Sequence, residues 1–296
     1  MSETLTALPA LRPAVLLGLP VHPVTLEEAV QRLLRAVAAR SAPVHVVSLN
    51  GALVMQALRE PDLAAVIRAA GLVIPDGVGT VLAGRILDVP VRRRVAGVDV
   101  AEALCREAAR HGYRVYLLGA APGVAEAAAS RLRERYPGFV VAGTDHGYFG
   151  PEDEAAVLAR IRAARPDILL VALGAPRQER WLHRHAPALG VPVVMGVGGT
   201  LDVLAGRVRR APRWMQALGL EWLYRLVREP WRWSVVRTIP PLFVVALRER
   251  VRRLRRKGAA AGAAGGEGPG WGGEAPAGQE VAGAAAEEER AGPRGR

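Results

Sequence analysis

Polar residues able to do chemistry recur in this sequence where apolar, β-branched runs end. Ser48 and Asn50 close VHVVSLN (44–50), and Asp76 follows LVIP (72–75). Gln178 follows the run in DILLVALGAPRQE (167–179), and Asp202 follows the run in VPVVMGVGGTLD (191–202). A carboxylate flanked by Val73 and Ile74 is a candidate general base, because desolvation would raise its pKa toward a useful range. Pro75-Asp76-Gly77 is equally a turn signal. Ser48 and Asn50 offer neutral hydrogen-bonding groups, or they cap a helix that begins after Leu49. Gln178 can donate and accept, as sugar recognition requires. Asp202 either caps the helix it stands in or accepts hydrogen bonds from a base or ribose.

Two glycine turns add a second chemistry. Gly119-Ala-Ala-Pro-Gly123 and GVGGT (196–200) each lead from an apolar strand into a helix. Gly119, Gly198 and Gly199 would let backbone amides approach a phosphate, or they simply make tight turns. Tyr148 sits in the loop after another strand, in FVVAGTDHGYFG (139–150). Arg92, Arg93 and Arg94 form a short basic run in which one guanidinium could neutralise a diphosphate. The sequence has no G-x-x-x-x-G-K-[ST], which excludes a P-loop NTPase, and no G-x-G-x-x-G, which argues against a nicotinamide oxidoreductase. H-E-x-x-H, paired cysteines and D-x-D are absent too, so no metal and no cofactor is expected.

The elements that must position these residues alternate along the chain. Thr25 and Glu28 have capping-box spacing at the start of a helix running to about Arg40. Strands and helices then alternate as far as residue 206. That pattern predicts an α/β fold, a Rossmann-like parallel sheet with helices on both faces. Ligands of such sheets collect beyond the carboxyl ends of the strands, where the residues above fall. The chain divides into an extended lead-in (1–20), a catalytic core (21–206), a basic, aromatic-rich helical appendage (207–257) and a Gly/Ala/Pro/Glu tail (258–296) predicted to be disordered.

Composition narrows the class further. A single cysteine, Cys105, excludes a disulfide framework and makes a cytosolic setting the default. No apolar run approaches the roughly 20 residues of a spanning helix, and the N-terminus does not read as a signal peptide. The net charge is +12, and residues 205–257 hold 15 of the 40 Lys and Arg but 3 of the 28 Asp and Glu. A block of that sign suggests a polyanionic partner. Within it Trp214, Trp222, Trp231 and Trp233 stand among arginines that include Arg225, Arg228 and Arg232. Interfacial membrane helices use this mixture. The alternatives are a helical hairpin docked on the sheet with its arginines outward, or a nucleic-acid-binding arm. No helix-turn-helix, finger or RNP pattern accompanies the last.

Taken together, SLN (48–50), IPDGVG (74–79), RVAGVD (94–99), LLGAAPGVAE (118–126), GYF (147–149), DILLVALGAPRQE (167–179), GVGGTLD (196–202), RAPRWMQALGLEWLYRL (210–226) and REPWRW (228–233) resemble the WecG/TagA/CpsF family of bacterial glycosyltransferases. The resemblance implies a Rossmann-like core with a membrane-touching appendage. It implies inverting, metal-independent transfer of N-acetylmannosamine or a related sugar from a UDP-sugar to N-acetylglucosaminyl-diphospho-undecaprenol, for wall teichoic acid or another surface polysaccharide. The partners it implies are the UDP-sugar, the polyprenyl-diphosphate-linked acceptor and an anionic membrane surface, with no nucleic acid. The setting is the inner face of the plasma membrane, and a homo-oligomer is compatible. Residue by residue, Asp76 matches the base, and Ser48 keeps the hydroxyl of a position where threonine is common. Asn50, Arg94 and Gln178 match polar active-site positions, while Tyr148 and Asp202 match positions near the nucleotide. Arg225, Arg228 and Arg232, with Trp222 and Trp231, fall in the part that meets lipid diphosphate and membrane.

Overall fold

A computed structural model describes residues 11–40, 42–91, 93–229 and 233–264. Its first element departs from the expected extended lead-in. β1 (Ala14–Leu16) and β2 (Leu19–Val21) form an antiparallel hairpin. Leu17 and Gly18 turn it with φ of 50° and 80°, the two positive values of a type I′ turn. Leu-Gly is a poor sequence signal for that turn. Burial of Leu16, Leu19 and Val21 in the core outweighs the strain at Leu17.

The capping box is present as read. Thr25 Oγ1 accepts from the Glu28 amide at 3.1 Å, and Glu28 Oε2 accepts from the Thr25 amide at 2.9 Å, opening α1 (Leu26–Ala39). Strand and helix then alternate: β3 (Val44–Leu49), α2 (Gly51–Ala57), α3 (Pro61–Arg68), β4 (Leu72–Pro75), α4 (Val78–Ile86) and α5 (Gly97–His111). There follow β5 (Arg114–Gly119), α6 (Val124–Arg135), β6 (Val140–Asp145), α7 (Pro151–Ala164), β7 (Ile168–Ala172), α8 (Arg177–Leu189), β8 (Val193–Gly196) and α9 (Thr200–Leu204). β3 to β8 make one parallel sheet in the order β4-β3-β8-β7-β5-β6, the expected Rossmann-like α/β arrangement.

Alternate residues of the strands feed opposite faces, as the two-residue period of a strand requires. Val46, Ile74, Leu117, Leu170 and Met195 pack under α1, α5, α6 and α9. Val47, Leu49 and Val73 pack under the hairpin and α2 to α4, and Leu169, Val171 and Val194 pack under α7 and α8. The neighbours β3 and β8 therefore send their following helices, α2 and α9, to opposite faces. Such a divergence opens a crevice at the carboxyl edge.

Beyond Gly206 the chain forms α10 (Arg213–Ala217), α11 (Glu221–Arg228), α12 (Trp233–Val236) and α13 (Ile239–Ala264). The basic segment is docked on the core at one helix and carries exposed apolar side chains elsewhere. Leu242 and Ala246 of α13 are fully buried with the α2–α4 cluster, as a docked helix would be. Trp214, Trp222, Leu223, Val227 and Trp233 are exposed, as an interfacial surface would be. Leu242 Cδ2 lies 3.1 Å from where a Cβ on Gly51 would sit and 3.5 Å from that of Gly79, so both helix starts leave room for it. The first compact unit of the chain ends at Arg253. In the second, which begins at Leu254, helix continues to Ala264, into the alanine-rich residues where disorder is predicted from 258. The remainder of the tail lies outside the described residues. No helix among the described residues is long and apolar enough to cross a membrane. Leu242→Ala should lower stability by about 2–5 kcal/mol, read from urea denaturation, because it empties a fully buried site between two helix starts.

Candidate active site

Asp76 is fixed by its backbone before its side chain does anything. Its amide donates to Leu49 O at 3.0 Å, and Thr80 Oγ1 donates to Leu49 O at 3.0 Å and to Asp76 O at 3.2 Å. Gly77, at φ 92°, then turns the chain into α4. The carboxylate is not isolated among apolar groups, as Val73 and Ile74 led us to expect, because those side chains point into the sheet faces. Oδ2 accepts from the Gly97 amide at 3.1 Å, at the start of α5, and Oδ1 accepts from Arg94 Nε at 3.3 Å. The anion thus sits at the positive end of a 15-residue helix that has no side-chain cap of its own. Gly97 permits this approach. A Cβ there would lie 2.4 Å from Ser48 Oγ and 3.4 Å from Asp76 Oδ2.

Arg94 extends the arrangement. Its Nη1 donates to Glu221 Oε2 at 2.9 Å, so the guanidinium lies between two carboxylates rather than standing free for a diphosphate. Burial works against its charge, but Asp76 and Glu221 more than offset that and hold its pKa above the ordinary arginine value. Arg93 is exposed, and Arg92 lies outside the described residues.

These groups line a cavity of about 1090 Å³ at the crevice between β3 and β8. Ser48, Asn50, Gln178, Gly198 and Gly199 line it with Asp76 and Arg94, as the sequence suggested. Asn50 also caps α2, its Oδ1 accepting from the Leu53 amide at 3.0 Å, as its capping reading required. Ser48 does not cap; its buried Oγ has no hydrogen-bond partner among the described residues. Gln178 is locked at both ends. Its Oε1 accepts from the Gly198 amide at 3.0 Å, and its Nε2 donates to Glu179 Oε1 at 2.9 Å.

Other predicted residues lie elsewhere. Gly119, Tyr148 and Asp202 are not in the cavity wall. Gly119, at φ 125°, is glycine because a Cβ would stand 2.4 Å from Ala172 O; the next amide, Ala120 N, is already given to that oxygen at 2.8 Å. The β5 exit is close-packed against β7, so Gly119 and the Ala120 amide serve that strand pairing. Tyr148 is 72% exposed on the β6–α7 loop. Asp202 makes no side-chain cap to α9; its carbonyl accepts from the amides of Arg207 and Val208. Arg225 and Trp222 reach the cavity, and Arg225 Nη2 lies 3.5 Å from where a Cβ on Gly199 would sit. Arg228 instead covers the Tyr224 ring, 5.5 Å from its centre, and Trp231 and Arg232 lie outside the described residues.

The cavity also holds residues that sequence reasoning missed. Arg59, Arg209 and Arg237 line it, and their guanidinium groups make no hydrogen bond or ion pair to any described residue. They come from three separate connections, so no local motif unites them. Glu179 is 1% exposed, and its Oε2 has no partner among the described residues. Burial pushes its carboxyl above the usual range, against the lowering by Gln178, its own backbone and Arg180. Its signal in sequence is its place beside Gln178 in PRQE, although consecutive helix positions point about 100° apart.

A doubly wound sheet with a carboxylate, a guanidinium and a locked carboxamide around an open cavity at its carboxyl edge is a Rossmann-like ligand-binding arrangement. The chain belongs to the glycosyl transferase WecG/TagA/CpsF family, whose family model matches residues 14–256. It is 35% identical over 202 residues to the N-acetylglucosaminyldiphosphoundecaprenol N-acetyl-beta-D-mannosaminyltransferase of Bacillus subtilis strain 168, covering 68% of this chain and 78% of that protein. A protein of the same name from Staphylococcus aureus strain MW2 is 34% identical over 211 residues, 71% of this chain and 82% of its own.

Glu179 gives the site a measurable pH signature. An acid with a folded-state pKa above its unfolded value, about 4.3 for glutamate, stabilises the fold below that value and loses this contribution as pH rises through the folded pKa. Urea midpoints of Glu179→Gln should therefore gain on the wild type as pH rises from about 4 to about 8.

Proposed function

We propose that this transferase moves N-acetylmannosamine, or a closely related sugar, from a UDP donor to N-acetylglucosaminyl-diphospho-undecaprenol, a step feeding wall teichoic acid or another surface polysaccharide. The shared name of the relatives supports the sugar and the acceptor. The observation that carries the chemistry is Asp76 on the cavity wall, oriented by Arg94 and the start of α5.

Asp76 is the general base. As the acceptor hydroxyl oxygen bonds to the anomeric carbon of the donor sugar, its proton passes to the Asp76 carboxylate. The bond from that carbon to the UDP phosphate oxygen breaks on the opposite face, and UDP leaves with the electron pair. One displacement inverts the configuration and uses one base. Its other requirement is stabilisation of charge on the leaving diphosphate. Arg59, Arg209 and Arg237, with Arg225, present guanidinium N–H groups suited to phosphate oxygens. Arginines in this role take the place of a divalent cation. Asn50 and the Gln178 carboxamide offer hydrogen bonds to sugar hydroxyls.

The exposed Trp214, Trp222 and Trp233, set among arginines, fit peripheral docking at the inner face of the plasma membrane. Each basic residue near an anionic surface contributes about 1 kcal/mol. The test is UDP release from UDP-N-acetylmannosamine with a short-chain lipid-diphosphate N-acetylglucosamine. Asp76→Asn should lose about 100-fold or more of turnover while still binding UDP; near-normal turnover would reject the base. EDTA should leave the wild-type rate within about twofold, and strong inhibition would restore a metal to the mechanism.

A further inference from the structure

We infer that Glu221, on the appendage, is a positioning residue for the transfer, holding Arg94 so that Asp76 keeps an oxygen lone pair for the acceptor proton. The inference rests on Asp76 being the base.

Glu221 opens α11, far along the chain from Asp76, yet it is 6% exposed and lines the same cavity. Its Oε2 accepts from Arg94 Nη1 at 2.9 Å, and its Oε1 accepts from Arg210 Nε at 3.2 Å. Arg210 also pairs with Asp99, in the first turn of α5. Burial works to raise the Glu221 pKa, but Arg210 and Arg94 outweigh it and hold the carboxyl below its usual range.

The two arms of Glu221 do different things. The Arg210 arm ties α11 to α5 and already supplies the counter-ion that a buried carboxylate needs. The Arg94 arm is not needed for that purpose, and it leads to the reacting centre. A guanidinium is planar, so binding one carboxylate at Nε and another at Nη1 fixes its plane. Held in that plane, Arg94 gives Asp76 a single contact, Nε to Oδ1 at 3.3 Å, and its Nη2, on the same edge as Nε, makes no second bond to the carboxylate. Without Glu221 the whole fork is free to turn to Asp76 and occupy the lone pairs that must receive the proton. The appendage thereby takes part in proton transfer without touching the substrate through this residue.

The full-length chain, assayed for UDP release, tests this. Glu221→Gln keeps the size and removes the charge. Its kcat should fall about tenfold or more while the donor KM stays within about twofold. In an Arg94→Lys background, where no fork remains to be divided, the same change should cost less than about twofold. Should Glu221→Gln fail to fold, Glu221→Asp keeps the charge at shorter reach and should show the same loss in kcat alone. A kcat within about twofold of wild type, a matching rise in KM, or an equal loss in both backgrounds overturns the role. Asp76→Asn run alongside separates the two ideas: if it stays active, the base assignment fails and this inference with it; if it is dead while Glu221→Gln is unimpaired, this inference alone fails.

Discussion

The contact on which the rest of the molecule depends is the one between the Asp76 carboxylate and the Arg94 guanidinium, at 3.3 Å. It joins the end of the edge strand β4 to the segment leading into α5, and its polar atoms would be costly to hold in a partly buried place without each other. Many local choices in the sequence follow from it. Gly97 has no side chain because Ser48 and Asp76 crowd its Cα. Thr80 is spent on the carbonyls of Leu49 and Asp76. Glu221 is buried where an exposed helix start would be the ordinary outcome.

Much of this was legible in sequence because it is local. A capping box spans three residues, and Thr25 and Glu28 form one. Strand ends carry polar residues in plain sight, so Asp76, Asn50 and Gln178 could be placed at one edge before any coordinates. What escaped is non-local. The hairpin at Leu17-Gly18 is stabilised by side chains that reach a core built later in the chain. The pairing of Arg94 with Glu221 spans 127 positions, and nothing near either residue announces the other. Gly119 misled for the converse reason: a glycine required by a neighbouring strand looks the same in sequence as one required by a phosphate.

The charge block of 205–257 resolves into separate tasks. Arg210 is an internal strut, and Arg225 and Arg237 face the cavity. Arg250 pairs with Asp88 and reaches the carbonyl of Ile86, so part of the basic excess ties α13 to the end of α4. Arg253 pairs with Glu249 along α13, a further part of the excess used within the fold. A net charge therefore overstated the share available to a polyanion.

Leu242 carries a consequence for how such a chain is divided. Charge draws a border near residue 206, but Leu242 fills a space left by Gly51 and Gly79, the starts of the helices that follow Asn50 and Asp76. Truncation at the charge border would uncover an apolar socket directly behind two residues of the cavity wall. The smallest self-sufficient fragment therefore extends well past residue 206, and the appendage is a structural plug as much as an accessory.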